Sequence, residues 1–331
     1  MLFRSGPEEA APLITELLQH IDEPFGDTSI LPTFAVTRLA RQRVKVVLSG
    51  DGGDELFAGY GRFYRALHLL ALPPWLRPFW PVIRRMQRPP RDPSRWMYPD
   101  TPQLEALYRD ILVRIKEDEA PSFLGPRLRS VKVDEVEDPI DDVFARARAL
   151  PPLSRLLAID LNWILAEYHL VKMDRASMQN SLEVRVPFLD KGFVELAFRL
   201  TAAIKLHGEQ SKGILREAMR DLLPRIVLGR GKKGFSIPFK YWFVGGLTQF
   251  AHEHLAGARV VSEGFLTQRA LDQLLRPGRH KTDGSRLWRV LVLESWLRGL
   301  QAHRSVNEDA PSRPAVIGAE RSVARGGGEL A

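Results

Sequence analysis

The 331-residue sequence predicts an α/β domain, a parallel sheet with flanking helices. Three observations predict it. Val44-Lys45-Val46-Val47-Leu48 is a short β-branched run of the kind that forms a buried strand. The glycine-rich turn Ser49-Gly50-Asp51-Gly52-Gly53-Asp54-Glu55 follows at once, and Leu56-Phe57 opens a new apolar periodicity. Strand, turn and helix in direct succession, with helical patterns on either side, indicate a parallel sheet.

The elements follow in order. Residues 12–21 carry helical apolar spacing, and Asp22-Glu23-Pro24-Phe25-Gly26-Asp27 reads as a turn. A second helix is expected from Leu31 to Gln42, with Pro32 tolerated in its first turn. From Pro73 to Pro99 the proline density forbids long regular elements, and residues 101–150 read as short helices joined by charged loops. Strong helical spacing returns at Leu153–Glu167 and leads through Tyr168-His169-Leu170-Val171-Lys172 into Ser181–Asp190. Further helices are expected at 191–200, 211–222 and 285–300. The expected division is one domain over 1–302, with a proline-rich helical region at 73–150 and a polar, disordered tail at 303–331.

Composition bounds the chemistry. A chain that is 44% hydrophobic has ample material for a buried core. No apolar run approaches the roughly 20 residues of a membrane-spanning helix, and the first residues lack an apolar signal stretch. Cysteine is absent, which excludes disulfides, thiolate metal sites and cysteine nucleophiles from these residues; a cytoplasmic location is the expectation. The net charge of +8 fits small anions such as phosphates, or nucleic acid. No zinc-finger spacing or aromatic RNA-binding motif accompanies it, so nucleic acid ranks last.

The turn at 49–55 carries the most chemistry. Its glycines allow close backbone approach and positive φ, and a turn that opens a helix suits an anion. Asp51, Asp54 and Glu55 would repel a bare phosphate, and a divalent cation reconciles the two, because magnesium takes one or two carboxylates plus phosphate oxygens. The same residues read equally well as a helix start, with Asp54 as cap and Glu55 as a favourable first-turn charge. Gly229-Arg230-Gly231-Lys232-Lys233-Gly234-Phe235 is a basic loop that could close on a polyphosphate, although taken alone it reads as an exposed loop. Lys212 is a further candidate phosphate contact. In 173–190, acids and arginines alternate in apolar surroundings. An internal ion-pair network is expected there, with Asp190 capping the next helix and Asp174 and Glu183 open to either role.

Taken together, these segments resemble the synthetase domain of the asparagine synthetase family. Asp22 to Phe25, Leu48 to Tyr60, Lys172 to Met178, Ser181 to Asp190 and Gly229 to Phe235 match its motifs in order and spacing. The resemblance implies a nucleotide α-hydrolase-like fold and an ATP- and magnesium-dependent ligase. In that reaction the aspartate carboxylate attacks the α-phosphorus, releasing pyrophosphate, and ammonia derived from glutamine then displaces AMP. By position, Leu48, Ser49, Gly50, Gly52 and Gly53 would lie against ATP and pyrophosphate. Asp51, where many relatives have glutamate, would lie near the acyl-adenylate as a catalytic residue. Asp54 would hold magnesium, Lys232 would stabilise charge on the transferring phosphate, and Lys212 would assist with pyrophosphate.

Two family features have no counterpart in these residues: the phosphate-binding loop Ser-Gly-Gly-x-Asp-Ser upstream of residue 12, and the cysteine that opens the glutaminase domain. The resemblance therefore implies a chain that begins inside the nucleotide domain, a sheet lacking its first strands, and a glutaminase domain or subunit encoded elsewhere. Little activity is expected of these residues alone. Relatives that amidate glycan, peptide or β-lactam precursors keep another carboxylate open as acceptor, and a non-catalytic partner of a split enzyme is the remaining alternative.

Overall fold

The computed structural model describes residues 7–20, 22–79, 102–112, 120–131, 139–206, 211–231, 234–235, 247–276 and 280–308. It is helix-rich, with a two-stranded parallel sheet. Helices α1 (Pro7–Gln19) and α2 (Ile30–Arg41) precede β1 (Val46–Leu48), and α3 (Gly53–Leu56) and α4 (Gly61–Ala71) follow it. Then come α5 (Pro102–Leu112), α6 (Pro139–Ala147) and α7 (Pro152–Ile159). A π-helical segment, Asp160–Leu170, joins α7 to α8 (Val171–Met178). Next are β2 (Glu183–Arg185), α9 (Lys191–Arg199) and α10 (Gly213–Ala218). The C-terminal helices are α11 (Leu247–His254), α12 (Gln268–Leu275) and α13 (His280–Glu308).

Helix α10 stops well short of the expected 222, and the helical stretch at 153–167 changes to π geometry at Asp160. α13 runs past 302 to Glu308, and the rest of the expected tail lies outside the described residues.

The main core gathers α1, α2, α8, α11, α12 and α13 around Trp288, which is fully buried. A second core joins α4, α5, α6 and α7 through Phe63, Tyr108, Phe144 and Leu156. A third, smaller one sets Leu56 of α3 and the following Phe57 against Ala197 of α9, with Phe188 and Phe193 around them.

The turn at 22–29 is fastened to both α8 and α13. Trp288 Nε1 donates to the Asp27 carbonyl at 3.2 Å, and Trp296 Nε1 to that of Asp22 at 2.8 Å. Arg175 pairs with Asp22 at 3.2 Å and Glu23 at 2.7 Å. Below them Lys172 Nζ lies 3.5 Å from Asp27 and donates to Ser29 Oγ at 3.0 Å. Asp27 also accepts from the Ser29 amide and hydroxyl, at 2.8 and 2.7 Å. Two motifs far apart in sequence are thus halves of one clamp.

β1 and β2 pair in register Val46↔Glu183, Val47↔Val184, Leu48↔Arg185. The expected buried strand is instead open on one face. Val44, Val46 and Leu48 are 43%, 41% and 71% exposed, because no described helix covers the side to which their period of two sends them. Of the internal ion pairs expected in 173–190, one is also at the surface. Arg185 and Glu183 bond each other at 2.7 Å with side chains 67% and 55% exposed. Asp190 does cap α9, accepting from the Phe193 amide at 3.1 Å.

The clamp gives an unequal pair of expectations for urea unfolding. Lys172 and Asp27 are only 9% and 11% exposed, so Asp27→Ala leaves a buried ammonium unpaired and should cost about 3 kcal/mol. Arg38 and Glu16 are 52% and 48% exposed, so Arg38→Ala should cost less than about 1 kcal/mol. Equal losses would mean that the clamp carries no special weight.

Candidate active site

The turn after β1 is shaped by sterics before charge. Gly52 has φ +89°, and a Cβ there would lie 2.7 Å from Leu189 Cδ2. Conformation and space both require glycine at that position. Gly53 packs against the Phe188 ring, which a Cβ there would meet at 3.4 Å, an ordinary van der Waals contact. Gly59, whose amide donates to the Asp54 carbonyl at 2.7 Å, leaves the space that the Asp54 carboxylate occupies; a Cβ at 59 would overlap Asp54 Oδ1 at 1.7 Å.

Within this frame Ser49 Oγ donates to Asp51 Oδ2 at 2.8 Å, and the Ser49 amide bonds the Arg185 carbonyl at 2.8 Å. Leu48 and Gly50 are exposed at the end of the strand, and a Cβ on Gly50 would meet nothing within 4 Å. That end of the turn is open for a ligand to approach. Asp54 is not the cap of α3. The cap is Gly52, with no side-chain bond, and Asp54 instead faces Lys212 Nζ at 3.1 Å. Lys212 itself has φ +59° at the start of α10, a conformation rare for a residue with a side chain. Two of the sequence-derived candidates are thus in direct contact, and Ser49 and Asp51 form a second pair beside them. Lys232 lies outside the described residues; its neighbours Gly231 and Gly234 are exposed.

Beneath the turn lies a polar layer that local sequence patterns do not mark as one unit. Glu55 is 2% exposed and accepts from the Tyr60 hydroxyl at 2.8 Å. Burial pushes the Glu55 carboxyl above the usual range, the Tyr60 bond only partly opposing it. Burial and the neighbouring Glu55 likewise push the Tyr60 phenol up. The Arg62 guanidinium sits 3.9 Å over the Tyr60 ring and pairs with the fully buried Asp160, donating from Nε at 2.8 Å. Tyr108 also bonds Asp160.

His169 stacks on Tyr60 at 6.2 Å and touches the Tyr168 ring edge-on at 5.5 Å. Burial first, then the Lys172 ammonium and Arg62, pull its pKa down to about 4, against Asp27 and Asp51, which raise it. It is neutral at pH 7. Glu55, Tyr60 and Lys172 lie inside the sequence motifs, and His169 lies three residues before one of them. Arg62, Tyr108 and Asp160 give no local signal, being brought together across 46 and 98 residues.

Among the described residues, no three His, Cys, Asp or Glu side chains converge as a metal cage. Magnesium can also be held by one or two carboxylates with phosphate oxygens and water completing the shell, and Asp54, the expected magnesium ligand, is an acid of the kind such a site takes. No helix among the described residues is long and apolar enough to cross a membrane.

Two outcomes follow from this geometry. Gly59→Ala should displace the Asp54 carboxylate, with a loss of about 2 kcal/mol in denaturant unfolding, the range for overpacking a close contact. His169 binds its proton more weakly in the folded chain than in the unfolded one. Stability should therefore fall as the pH drops from about 6.5 towards 4. His169→Gln should flatten that limb of a plot of urea midpoint against pH, and an unchanged limb would assign it to other groups.

The chain matches the asparagine synthase family over residues 2–298. A Mycobacterium tuberculosis protein, provisionally named a glutamine-hydrolyzing asparagine synthetase, is 33% identical over 87% of this chain and 44% of its own length. Asparagine synthetase (glutamine-hydrolyzing) 1 of Bacillus subtilis is 27% identical over 88% of this chain and 46% of its own. The chain therefore spans less than half the length of these curated relatives. Its helix-rich body, small parallel sheet and turn sequence carry the nucleotide α-hydrolase-like fold of that family. A match over nearly all of the described residues leaves one assignment: the chain belongs to the asparagine synthase family.

Proposed function

We propose that the chain is the ATP-dependent ligase unit of an amide-forming enzyme, which activates a carboxylate by adenylation and hands it to ammonia. The observation that carries this reading is the contact of Asp54 with Lys212 at 3.1 Å, beside the open Ser49–Gly50 end of the turn. An acid and a lysine juxtaposed at a strand's C-terminal end suit a magnesium pyrophosphate, the acid toward the metal and the lysine toward phosphate oxygen. In this reading Leu48, Ser49, Gly50, Gly52 and Gly53 line the nucleotide, and Lys232 stabilises charge on the transferring phosphate. Asp51 lies beside the acyl-adenylate. Its carboxylate already accepts from Ser49, so it acts through charge and orientation. Magnesium would supply charge neutralisation on the phosphates; the chain's own residues hold and orient them.

The 331 residues hold no cysteine and no Ser-Gly-Gly-x-Asp-Ser loop. Ammonia and the remaining phosphate contacts come from further polypeptide, whether of the same protein or of another subunit. The open face of β1 supports this part of the reading: Val44, Val46 and Leu48 offer an apolar surface where a covering segment of the sheet would seat.

The test is pyrophosphate release from Mg-ATP with aspartate and ammonia, measured on the chain with and without a relative's upstream half supplied as a second polypeptide. Release should depend on the added half and should drop roughly a hundredfold in Asp54→Asn and in Lys212→Met. Release untouched by both substitutions would sink the assignment of the site.

A further inference from the structure

A cleft of about 830 Å³ lies between the turn at Pro24–Gly26, the π-helical segment and α13. π geometry sets Trp163, Ile164, Glu167 and Tyr168 along one wall, and Leu293 and Arg289 of α13 stand opposite. The Arg289 stem packs on Gly26, where a Cβ would lie 2.8 Å from its Cγ. Its guanidinium makes no hydrogen bond or ion pair with any described residue. Arg109 also lines the cleft but is matched by Asp141. Arg289 further borders an adjoining apolar cavity of about 150 Å³, walled by Phe265, Val290 and Leu293 among others. A half-buried guanidinium with no partner among the described residues, set between an apolar wall and an apolar annex, is arranged for an anion on a hydrophobic body.

The cleft adjoins the candidate active site through a chain of rings. Tyr168 of its wall touches His169, and His169 stacks on Tyr60, whose hydroxyl holds Glu55 of α3. We propose that the cleft holds the non-reacting end of the acceptor substrate. The acceptor is then a carboxylic acid with a second anionic group, held by Arg289, and an apolar body much larger than that of aspartate. The identification as acceptor rests on the ligase reading above; the binding chemistry does not. Glu167 sits at the same rim without an ion pair to any described residue and sets the sign of a control, since its negative charge opposes such a ligand.

The test is calorimetric titration of the full chain, without ATP, with benzylsuccinate as probe and with aspartate and benzylamine as comparisons. Benzylsuccinate should bind one to one, at least tenfold more tightly than aspartate, and benzylamine should not bind. Arg289→Met, which keeps the stem on Gly26, should lose on the order of tenfold or more in affinity, as expected for one charge-assisted hydrogen bond. Arg289→Lys should recover part of that loss, and Glu167→Gln should tighten binding. Unchanged melting temperatures show that the variants fold.

No saturable binding, binding indifferent to Arg289, or aspartate binding as well as benzylsuccinate would each overturn the proposal. Because the titration needs no turnover, failure of pyrophosphate release with binding intact counts against the ligase reading and the acceptor role together. Release without binding counts against the cleft alone.

Discussion

A lysine drawn out of water must find an acid, and in this fold Lys172 finds Asp27. Most of the site's geometry depends on that pairing. Lys172 lies in the first turn of α8, and the pair fixes α8 against the turn at 22–29, which Trp288 and Trp296 tie to α13. α8 then delivers the chain into β2, and β2 sets the height of β1 through the parallel register. The Arg185 carbonyl of β2 accepts from the Ser49 amide, so the first residue of the ligand turn is located by a strand that the lysine clamp holds in place. Sequence separation hides this dependence: Asp27 and Ser49 belong to different motifs and never touch.

The turn itself obeys a second constraint, that of space. Gly52 must be left-handed because Leu189 fills the volume of a side chain, and Gly59 must be bare because Asp54 fills its own. In the space so left, Asp54 faces Lys212 at 3.1 Å. The surplus of acids in Ser49–Glu55 is then resolved in three ways. Asp54 is met by a lysine, Asp51 by a hydroxyl, and Glu55 is withdrawn into the protein, where burial favours its protonated form beside Tyr60. The net negative charge left for a ligand is less than the sequence count suggests. A site so arranged suits a phosphate with one divalent cation better than it suits a cation alone.

The strand–turn–helix succession was legible because each part is local: β-branched residues, then glycines, then helical spacing. The N-cap at Asp190 was legible for the same reason. Whether β1 is buried was not, because the exposure of Val46 depends on what packs over it, and a period of two says only which residues share a face. The change to π geometry at Asp160 was equally hidden. Asp160–Leu170 is apolar around much of its circumference, and such a pattern does not distinguish one helical pitch from another. In the site, the residue types of the turn revealed the chemistry, while the capping role offered for Asp54 failed because a glycine with positive φ took the cap. Arg62, Tyr108 and Asp160 could not be foreseen together, since no spacing rule links residues so far apart.

The polar layer under the turn gives the two halves of the site different mechanical characters. On the α3 side, Glu55, Tyr60, Arg62 and Asp160 are bonded to one another in low dielectric, where each bond is strengthened and each loss is costly. That side is rigid, and its groups are spent on one another. On the His169 side, contacts are stacking and edge contacts between rings, which tolerate sliding, and Arg289 in the cleft has no hydrogen-bond or ion-pair partner among the described residues. A ligase must hold the phosphates of ATP in one place whatever it amidates, whereas its acceptor differs from enzyme to enzyme. If the turn at 49–55 holds phosphate and the cleft holds the acceptor, as proposed above, rigidity belongs under the turn and adaptability in the cleft, and the bonding of the two halves divides along that line.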